Sequence, residues 1–222
     1  MINLINFSYT PKGLPPILNS INADFLSGEK IGILSTTGTG KTTLARLLCR
    51  SETPTSGHII THGTVSWPLG YSGFFHPELT GLENILVLSE LYSEDSESII
   101  EWAIQLGGLS ATLDKKLKHF SPTERSMLGY SCSLAIPFDW YIADEKLTVG
   151  GRENLHNCEE AISIRLSTSG LVFISKNINQ IKKHCSRYFI LTHGSLIECP
   201  DADIAVKALE QAEKIRQYHV KH

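Results

Sequence analysis

The sequence has few features of a secreted, membrane-spanning or nucleic-acid-binding protein. Its five cysteines are scattered without a close pair, which fits neither a disulfide framework nor a zinc site. No apolar run approaches the roughly 20 residues of a spanning helix, and the opening MINLINFSYT lacks the charged head and long apolar stretch of a signal peptide. The formal net charge of −3 provides no basic field that would attract DNA or RNA. We therefore expect a cytoplasmic protein that does not bind nucleic acid.

Short apolar runs rich in branched residues alternate with helix-like stretches along the chain. The runs are KIGIL, WYIAD, LVFIS and YFIL, and each ends in a polar or Gly-containing segment. This alternation predicts an α/β fold with a mostly parallel core sheet and flanking helices. The stretch YFILTHGSLIEC instead joins two strand-like runs through THGS, which predicts a hairpin and an antiparallel edge.

The middle of the chain, from about residue 76 to 130, has a helical pattern. In LTGLENILVLSELY the apolar residues recur at helical spacing, and Thr80 followed by Glu83 forms a candidate capping box. SESIIEWAIQLGGL is a second helical stretch. We predict a single domain in which residues 76–130 form a helical lobe and residues 1–75 and 131–222 form the α/β core. DADIAVKALEQAEKIRQYH predicts a terminal helix.

The stretch ILSTTGTGKTT lies between a predicted strand and the helix-prone LARLLC, which is the context of a phosphate-binding loop. Gly38 and Gly40 allow successive N–H groups to turn inward, Lys41 adds a cation for the outer phosphates, and the Thr42 hydroxyl can ligate Mg²⁺. Ser35 replaces the glycine that opens the usual pattern. This position can accept a small residue if the φ of that residue is negative. The other residues of the candidate nucleotide-binding loop are Thr36, Thr37, Thr39 and Thr43.

Two adjacent acids follow the apolar run in FDWYIADE. Asp144 ends the run, where a carboxylate can hold the metal, and Glu145 follows where a general base can polarise the attacking water. The same pair would also suit a solvated turn. Taken with Lys41, it predicts the catalytic half of a nucleotide site.

With these motifs the chain resembles the ATP-binding subunits of ABC transporters, specifically those of capsular polysaccharide exporters. FSY, SGEKIGIL, SWPLGYSGFFHPELTGLENI, TVGG and VFISK occur in the family's order along nearly the whole length. The resemblance implies a P-loop NTPase fold, ATP and Mg²⁺ as ligands, and Tyr9 as the aromatic residue that stacks on adenine. It also implies a membrane-spanning permease as partner, a homodimer or heterodimer of ATP-binding subunits, and a peripheral position on the cytoplasmic side of the inner membrane.

Three single positions depart from the family pattern. His76 stands where the family has the glutamine that touches Mg²⁺ and the water, and it remains a candidate catalytic and metal-binding residue. Lys176 replaces the histidine that contacts the γ-phosphate, so it can neutralise charge but lacks the acceptor nitrogen of imidazole. Gly151 replaces an aspartate that the resemblance places across the dimer.

The signature segment of the family is also altered. FSPTE occupies it, with Pro122 and Thr123 in place of glycines, and Ser121 is its candidate nucleotide-binding residue. Ser121 as N-cap, Pro122 at the first helical position and Glu124 three residues after the cap predict a helix that caps itself.

Three classes of function follow from these motifs. The first is an ATP hydrolase subunit that drives polysaccharide export, and the second is a regulatory or structural partner with impaired hydrolysis. A small GTPase or metabolite kinase is the third, but the sequence has no Asn-Lys-x-Asp guanine reader, and the Asp144–Glu145 pair suits water activation better.

Overall fold

The computed structural model describes residues 1–151 and 154–221, with side chains up to residue 214. Contacts divide the chain into two units, of which the first contains residues 1–68, 139–145 and the chain from Ser169 onward. The second contains residues 69–138 and 146–168. The single domain with boundaries near residues 75 and 131 stays a prediction.

The first unit contains strands and helices in alternation. Its strands are β1 (Ile2–Tyr9), β2 (Leu18–Phe25), β3 (Lys30–Ser35), β4 (Ser56–Thr61), β5 (Val65–Pro68), β6 (Trp140–Asp144), β7 (Gly170–Ser175), β8 (Arg187–Thr192) and β9 (Ser195–Cys199). Its helices are α1 (Lys41–Leu48), α6 (Ile178–His184) and α7 (Ala202–Lys221). The predicted terminal helix is therefore confirmed.

These strands form two sheets within the described residues. A three-stranded antiparallel sheet has the order β2-β1-β4, and a six-stranded sheet has the order β5-β6-β7-β3-β8-β9. In the larger sheet every pair is parallel except β8 with β9, which pair as a hairpin. The predicted α/β fold with a parallel core and antiparallel edges is confirmed. The central strands are buried on both faces, which explains their continuous apolar runs.

The core of the first unit joins both sheets and α1. Phe25 of β2 packs edge-on against Phe189 of β8, with ring centroids 5.5 Å apart, and its ring is 6.4 Å from that of Trp140. Leu44 and Leu48 of α1 belong to the same buried cluster. Because each large apolar side chain contributes roughly 1.5–3 kcal/mol when fully buried, this cluster fixes α1 and the loop before it against the sheet.

The second unit is helical. It contains α2 (Gly81–Tyr92), α3 (Ser96–Gln105), a short 3₁₀ turn (Leu117–His119), α4 (Pro122–Ala135) and α5 (Leu155–Leu166). The predicted capping box is confirmed, because Thr80 Oγ1 accepts from Glu83 N at 3.1 Å and Glu83 Oε2 accepts from Thr80 N at 2.7 Å. Helix α5 lies between the runs WYIAD and LVFIS, where the alternation predicts a helix without giving its bounds. Within the described residues, no helix is long and apolar enough to cross a lipid bilayer.

The strand order brings polar residues together at one edge of the larger sheet. Strands β6, β7, β3 and β8 are parallel neighbours, and Asp144 pairs with Ile174, the residue before Ser175. In the same way Ser35 pairs with Leu191. Because the carboxyl ends of parallel strands lie at the same sheet edge, residues far apart in sequence meet there.

Candidate functional site

The loop between β3 and α1 has the backbone of a phosphate-binding loop. Gly38 has φ +79° and Gly40 has φ +97°, values that residues with a side chain rarely adopt. A Cβ on Gly40 would lie 2.7 Å from Ile17 Cγ2, so space as well as conformation requires glycine. Helix α1 begins directly after it, and its first N–H groups are available to an anion. Thr36, Thr37 and Thr43 lie in this loop and the first turn of α1.

Lys41 contacts a carboxylate and a backbone carbonyl at the start of α1. Its ammonium lies 3.1 Å from Glu145 Oε1 and donates to Thr36 O at 2.6 Å. The Lys41 side chain is 10% exposed and that of Glu145 is 34% exposed. A phosphate that binds Lys41 must therefore replace partners that the ammonium already has.

Thr42 and Asp144 form the part of the site suited to a metal. The Thr42 hydroxyl donates to Asp144 Oδ2 at 2.7 Å, whereas Asp144 Oδ1 is buried and has no hydrogen-bond partner. An orphaned carboxylate oxygen beside a hydroxyl fits Mg²⁺, which prefers hard oxygen ligands and keeps several waters and substrate phosphates. The described residues contain no group of three or more His, Cys, Asp or Glu arranged for a metal. Phosphate and water would therefore supply the remaining ligands.

Glu145 is held in an unusual backbone conformation directly after β6. Its φ is +65°, in the left-handed region that a non-glycine residue rarely occupies. Its Oε2 accepts from Ser175 Oγ and from Lys176 N, both at 3.2 Å. Burial by itself raises the pKa of this carboxyl, but the Lys176 N–H and Lys41 together lower the pKa overall. Glu145 is thus a fixed carboxylate.

Ser175 ends β7 beside this carboxylate, and Lys176 follows it. The backbone of Lys176 contacts Glu145, while its side chain is exposed. Ser175 is buried and was missed by sequence reasoning. The only local signal for it was its position at the end of a predicted strand, which does not reveal its partner.

Tyr9 lies at the end of β1, close to the phosphate loop. Its carbonyl accepts from Ile17 N at 2.9 Å, and Ile17 is the residue that a side chain on Gly40 would strike. A hydrogen bond to Glu52 raises the pKa of the Tyr9 hydroxyl. The ring is partly exposed, so a base can stack on it. Its predicted role at adenine stays a prediction.

His76 lies in the second unit, and its backbone is clamped by a buried asparagine. Asn84 Oδ1 accepts from His76 N at 2.8 Å, and Asn84 Nδ2 lies 3.1 Å from His76 O. The imidazole Nδ1 accepts from Glu78 N at 3.3 Å, so the neutral ring carries its hydrogen on Nε2. In this tautomer Nε2 can act only as a donor. The predicted metal contact of His76 would need the loss of the Glu78 bond, because a metal must bind either at Nδ1 itself or at Nε2 in the tautomer that has its hydrogen on Nδ1.

Ser121 also lies in the second unit and caps α4. Its Oγ accepts from Glu124 N at 3.2 Å, Glu124 Oε2 accepts from Ser121 N at 2.7 Å, and Pro122 is the first helical residue. The self-capped helix predicted from FSPTE is confirmed. The bond from Ser121 N is the largest cause of the lowered pKa of Glu124, which is therefore charged at neutral pH. The binding of a nucleotide by Ser121 stays a prediction.

The fold and the first unit's residues define a class of protein, the α/β nucleoside-triphosphate-binding proteins with a phosphate loop. The sequence model of the family described as ABC transporter matches residues 18–148, and the chain belongs to this family. It is 30% identical over 212 residues to ATP-binding protein BexA of Haemophilus influenzae, covering 96% of this chain and 98% of BexA. It is 32% identical to the polysialic acid transport ATP-binding protein KpsT of Escherichia coli, covering 88% of each chain.

A solved structure supports the fold independently of sequence. The ATP-binding subunit of an ABC transporter superposes with a TM-score of 0.79 at 16% identity, covering 94% of both chains. At this identity the likeness concerns the fold alone.

Proposed function

We propose that the chain is the ATP-binding subunit of an ABC transporter that exports a capsular or other cell-surface polysaccharide, and that it hydrolyses ATP. The observation that carries the proposal is the cluster of Lys41, Thr42, Asp144 and Glu145 at one sheet edge. The export function is supported by relatives whose names describe ATP-binding proteins, one of polysialic acid transport.

The first unit supports the binding of ATP. The N–H groups of the phosphate loop and the ammonium of Lys41 would surround the phosphates, and Tyr9 would offer its ring to adenine. Thr42 and Asp144 would hold Mg²⁺. When bound, the metal ion neutralises charge on the β- and γ-phosphate oxygens.

Hydrolysis depends on Glu145. In the reaction, the oxygen of a water forms a bond to the γ-phosphorus, the bond from that phosphorus to the β-phosphate oxygen breaks, and the carboxylate accepts the proton of the water. A carboxylate paired with Lys41 is a weak base, because the ammonium stabilises its charged form. When Lys41 turns to the phosphates, Glu145 regains basicity. The Lys176 ammonium could neutralise charge on the γ-phosphate.

The proposal includes partners and a place in the cell. A membrane-spanning permease would carry the polysaccharide, and two ATP-binding subunits, identical or different, would act together. The protein would lie peripherally on the cytoplasmic side of the inner membrane, without a role for nucleic acid.

A partner with impaired hydrolysis is the second candidate. The observation that favours it is the self-capped start of α4, in which Ser121 Oγ and the Glu124 carboxylate are already engaged with each other's backbone. Pro122 has no N–H to offer a phosphate, and Glu124 would repel one. Such a chain would bind ATP and turn it over slowly.

Steady-state phosphate release with ATP and Mg²⁺ tests the proposal. We expect turnover by the purified protein, and its loss in Glu145→Gln with ATP binding retained, because the amide cannot accept the proton. Binding without turnover in the parent would favour the second candidate. Equal turnover in parent and variant would mean that Glu145 is not the base.

A further inference from the structure

Ser35 is built into the phosphate loop by hydrogen bonds that a glycine cannot make. It is the last residue of β3, fully buried, and it pairs with Leu191 of β8. Its φ lies outside the positive region, so the conformational freedom of glycine is not needed here. Its Oγ donates to Leu191 O at 2.8 Å and is in hydrogen-bond contact with Thr39 Oγ1.

The number of hydroxyl hydrogens fixes the direction of these bonds. The Leu191 carbonyl can only accept, so the single hydrogen of Ser35 points to it. The bond between the two hydroxyls then requires Thr39 as the donor. Thr39 Oγ1 also lies 2.8 Å from Thr36 O, but that carbonyl already receives Lys41 Nζ at 2.6 Å. The Thr39 hydroxyl therefore has two acceptors within reach, Ser35 Oγ and Thr36 O. The second of these also accepts from the Lys41 ammonium.

We propose that Ser35 is a positioning residue for nucleotide binding, which together with Thr39 fastens the start of the phosphate loop to its end and to β8. The inference rests on the proposed ATP site. When Lys41 turns to a phosphate, it leaves Thr36 O, while the bonds of Ser35 to Leu191 and to Thr39 stay in place. These two bonds hold the loop in both arrangements.

An ordered loop lowers the cost of binding, because its N–H groups need not be arranged by the ligand. The net contribution of one hydrogen bond, about 0.5–1.5 kcal/mol, corresponds to a roughly two- to tenfold change in affinity. Ser35→Gly is the most informative change, because it restores the residue that the usual pattern has at this position. If serine were merely tolerated, this variant would bind ATP at least as well as the parent.

The experiment is an ATP titration by calorimetry, with the melting temperature of each variant measured beside it. We expect Ser35→Gly and Ser35→Ala to bind ATP about two- to tenfold more weakly. Thr39→Val should show a similar loss, and the loss in the Ser35→Ala/Thr39→Val double variant should be smaller than the sum of the two single losses, since both single variants remove the contact between the two hydroxyls. Thr39→Ser should recover most of the affinity lost in Thr39→Val.

Ser66→Ala is the matched control. Ser66 is a fully buried serine of the same unit, whose Oγ accepts from Ile142 N at 3.0 Å. We expect it to lower the melting temperature without changing the affinity for ATP. If Ser66→Ala weakens ATP binding as much as the Ser35 variants do at a similar loss of melting temperature, the inference is overturned.

The outcomes separate the inference from the function it rests on. A parent that does not bind ATP would refute the proposed function and this inference with it. A parent that binds ATP, with unchanged affinity in Ser35→Gly and Ser35→Ala, would refute the inference alone. Additive losses in the double variant would show that Ser35 and Thr39 act separately and would also overturn it.

Discussion

Replacing Glu145 with glutamine should tighten nucleotide binding as well as stop hydrolysis. Lys41 is paired with Glu145 at 3.1 Å, so any phosphate at Lys41 competes with this carboxylate. Glutamine keeps the shape and can still accept from Ser175 through its carbonyl oxygen. Its amino group cannot accept a hydrogen bond from the ammonium, so Lys41 is released.

The size of the effect follows from the exposure of the pair. Ion pairs at exposed sites contribute about 0.2–1 kcal/mol, and solvent screens a carboxylate that is 34% exposed. Because Lys41 is only 10% exposed, we take the upper part of that range. About 1 kcal/mol corresponds to a roughly fivefold lower Kd.

Calorimetric titration with ADP measures this effect without turnover and without a γ-phosphate that Glu145 would repel. Glu198→Gln is the control for net charge, since Glu198 is paired with Arg187 in the same unit at 2.7 Å. We expect tighter ADP binding in Glu145→Gln and unchanged binding in Glu198→Gln. The gain should disappear in the Lys41→Ala background. Unchanged affinity in Glu145→Gln, or the same gain without Lys41, would refute competition between carboxylate and phosphate.

Two further predictions concern the positions that depart from the family pattern. Lys176→His should raise steady-state phosphate release, because imidazole restores the planar group with an acceptor nitrogen that lysine lacks; an unchanged rate would mean that the lysine is neutral or adapted. In the Glu145→Gln protein, the combined changes Pro122→Ser, Thr123→Gly and Glu124→Gln should promote an ATP-dependent dimer, measured by sedimentation. The reason is that these changes remove a carboxylate that would repel phosphate and open the start of α4 to a phosphate. A tight dimer before these changes, with no gain after them, would contradict this.

Local signals explain what could be predicted from the sequence. The central strands are recognisable in the sequence as branched apolar runs. Both capping boxes are recognisable as a serine or threonine three positions before a glutamate. Strand β1 is harder to recognise, because register shifts between Leu4 and Phe7 and between Phe7 and Tyr9 interrupt its alternation. Helix α5 begins after Asn154, a preferred N-cap residue, but the Asn154 side chain makes no capping bond in the structure.

The sequence placed Asp144 and Glu145 in one site with Lys41, but the contacts of Ser35 and of Ser175 with distant residues could not be predicted. Ser35 and Leu191 are 156 residues apart, and Glu145 and Ser175 are 30 apart. The strand order brings them together, and no local pattern encodes it. The phosphate loop itself could be predicted because its glycines, lysine and threonine are contiguous. The hydroxyl network that replaces its first glycine could not.

The central claim is that the loop from Ser35 to Thr43 binds the phosphates of ATP through Lys41. Titration of ATP into the parent, Lys41→Ala and Lys30→Ala tests it most directly. Lys30 begins β3, the strand before the loop, and its ammonium donates to Gly28 O and Ser169 O, so it serves as the control lysine. We expect Lys41→Ala to weaken binding by about 1.5–3 kcal/mol, or roughly 10- to 150-fold, and Lys30→Ala to leave the affinity unchanged. Equal affinity in the parent and Lys41→Ala would contradict the account.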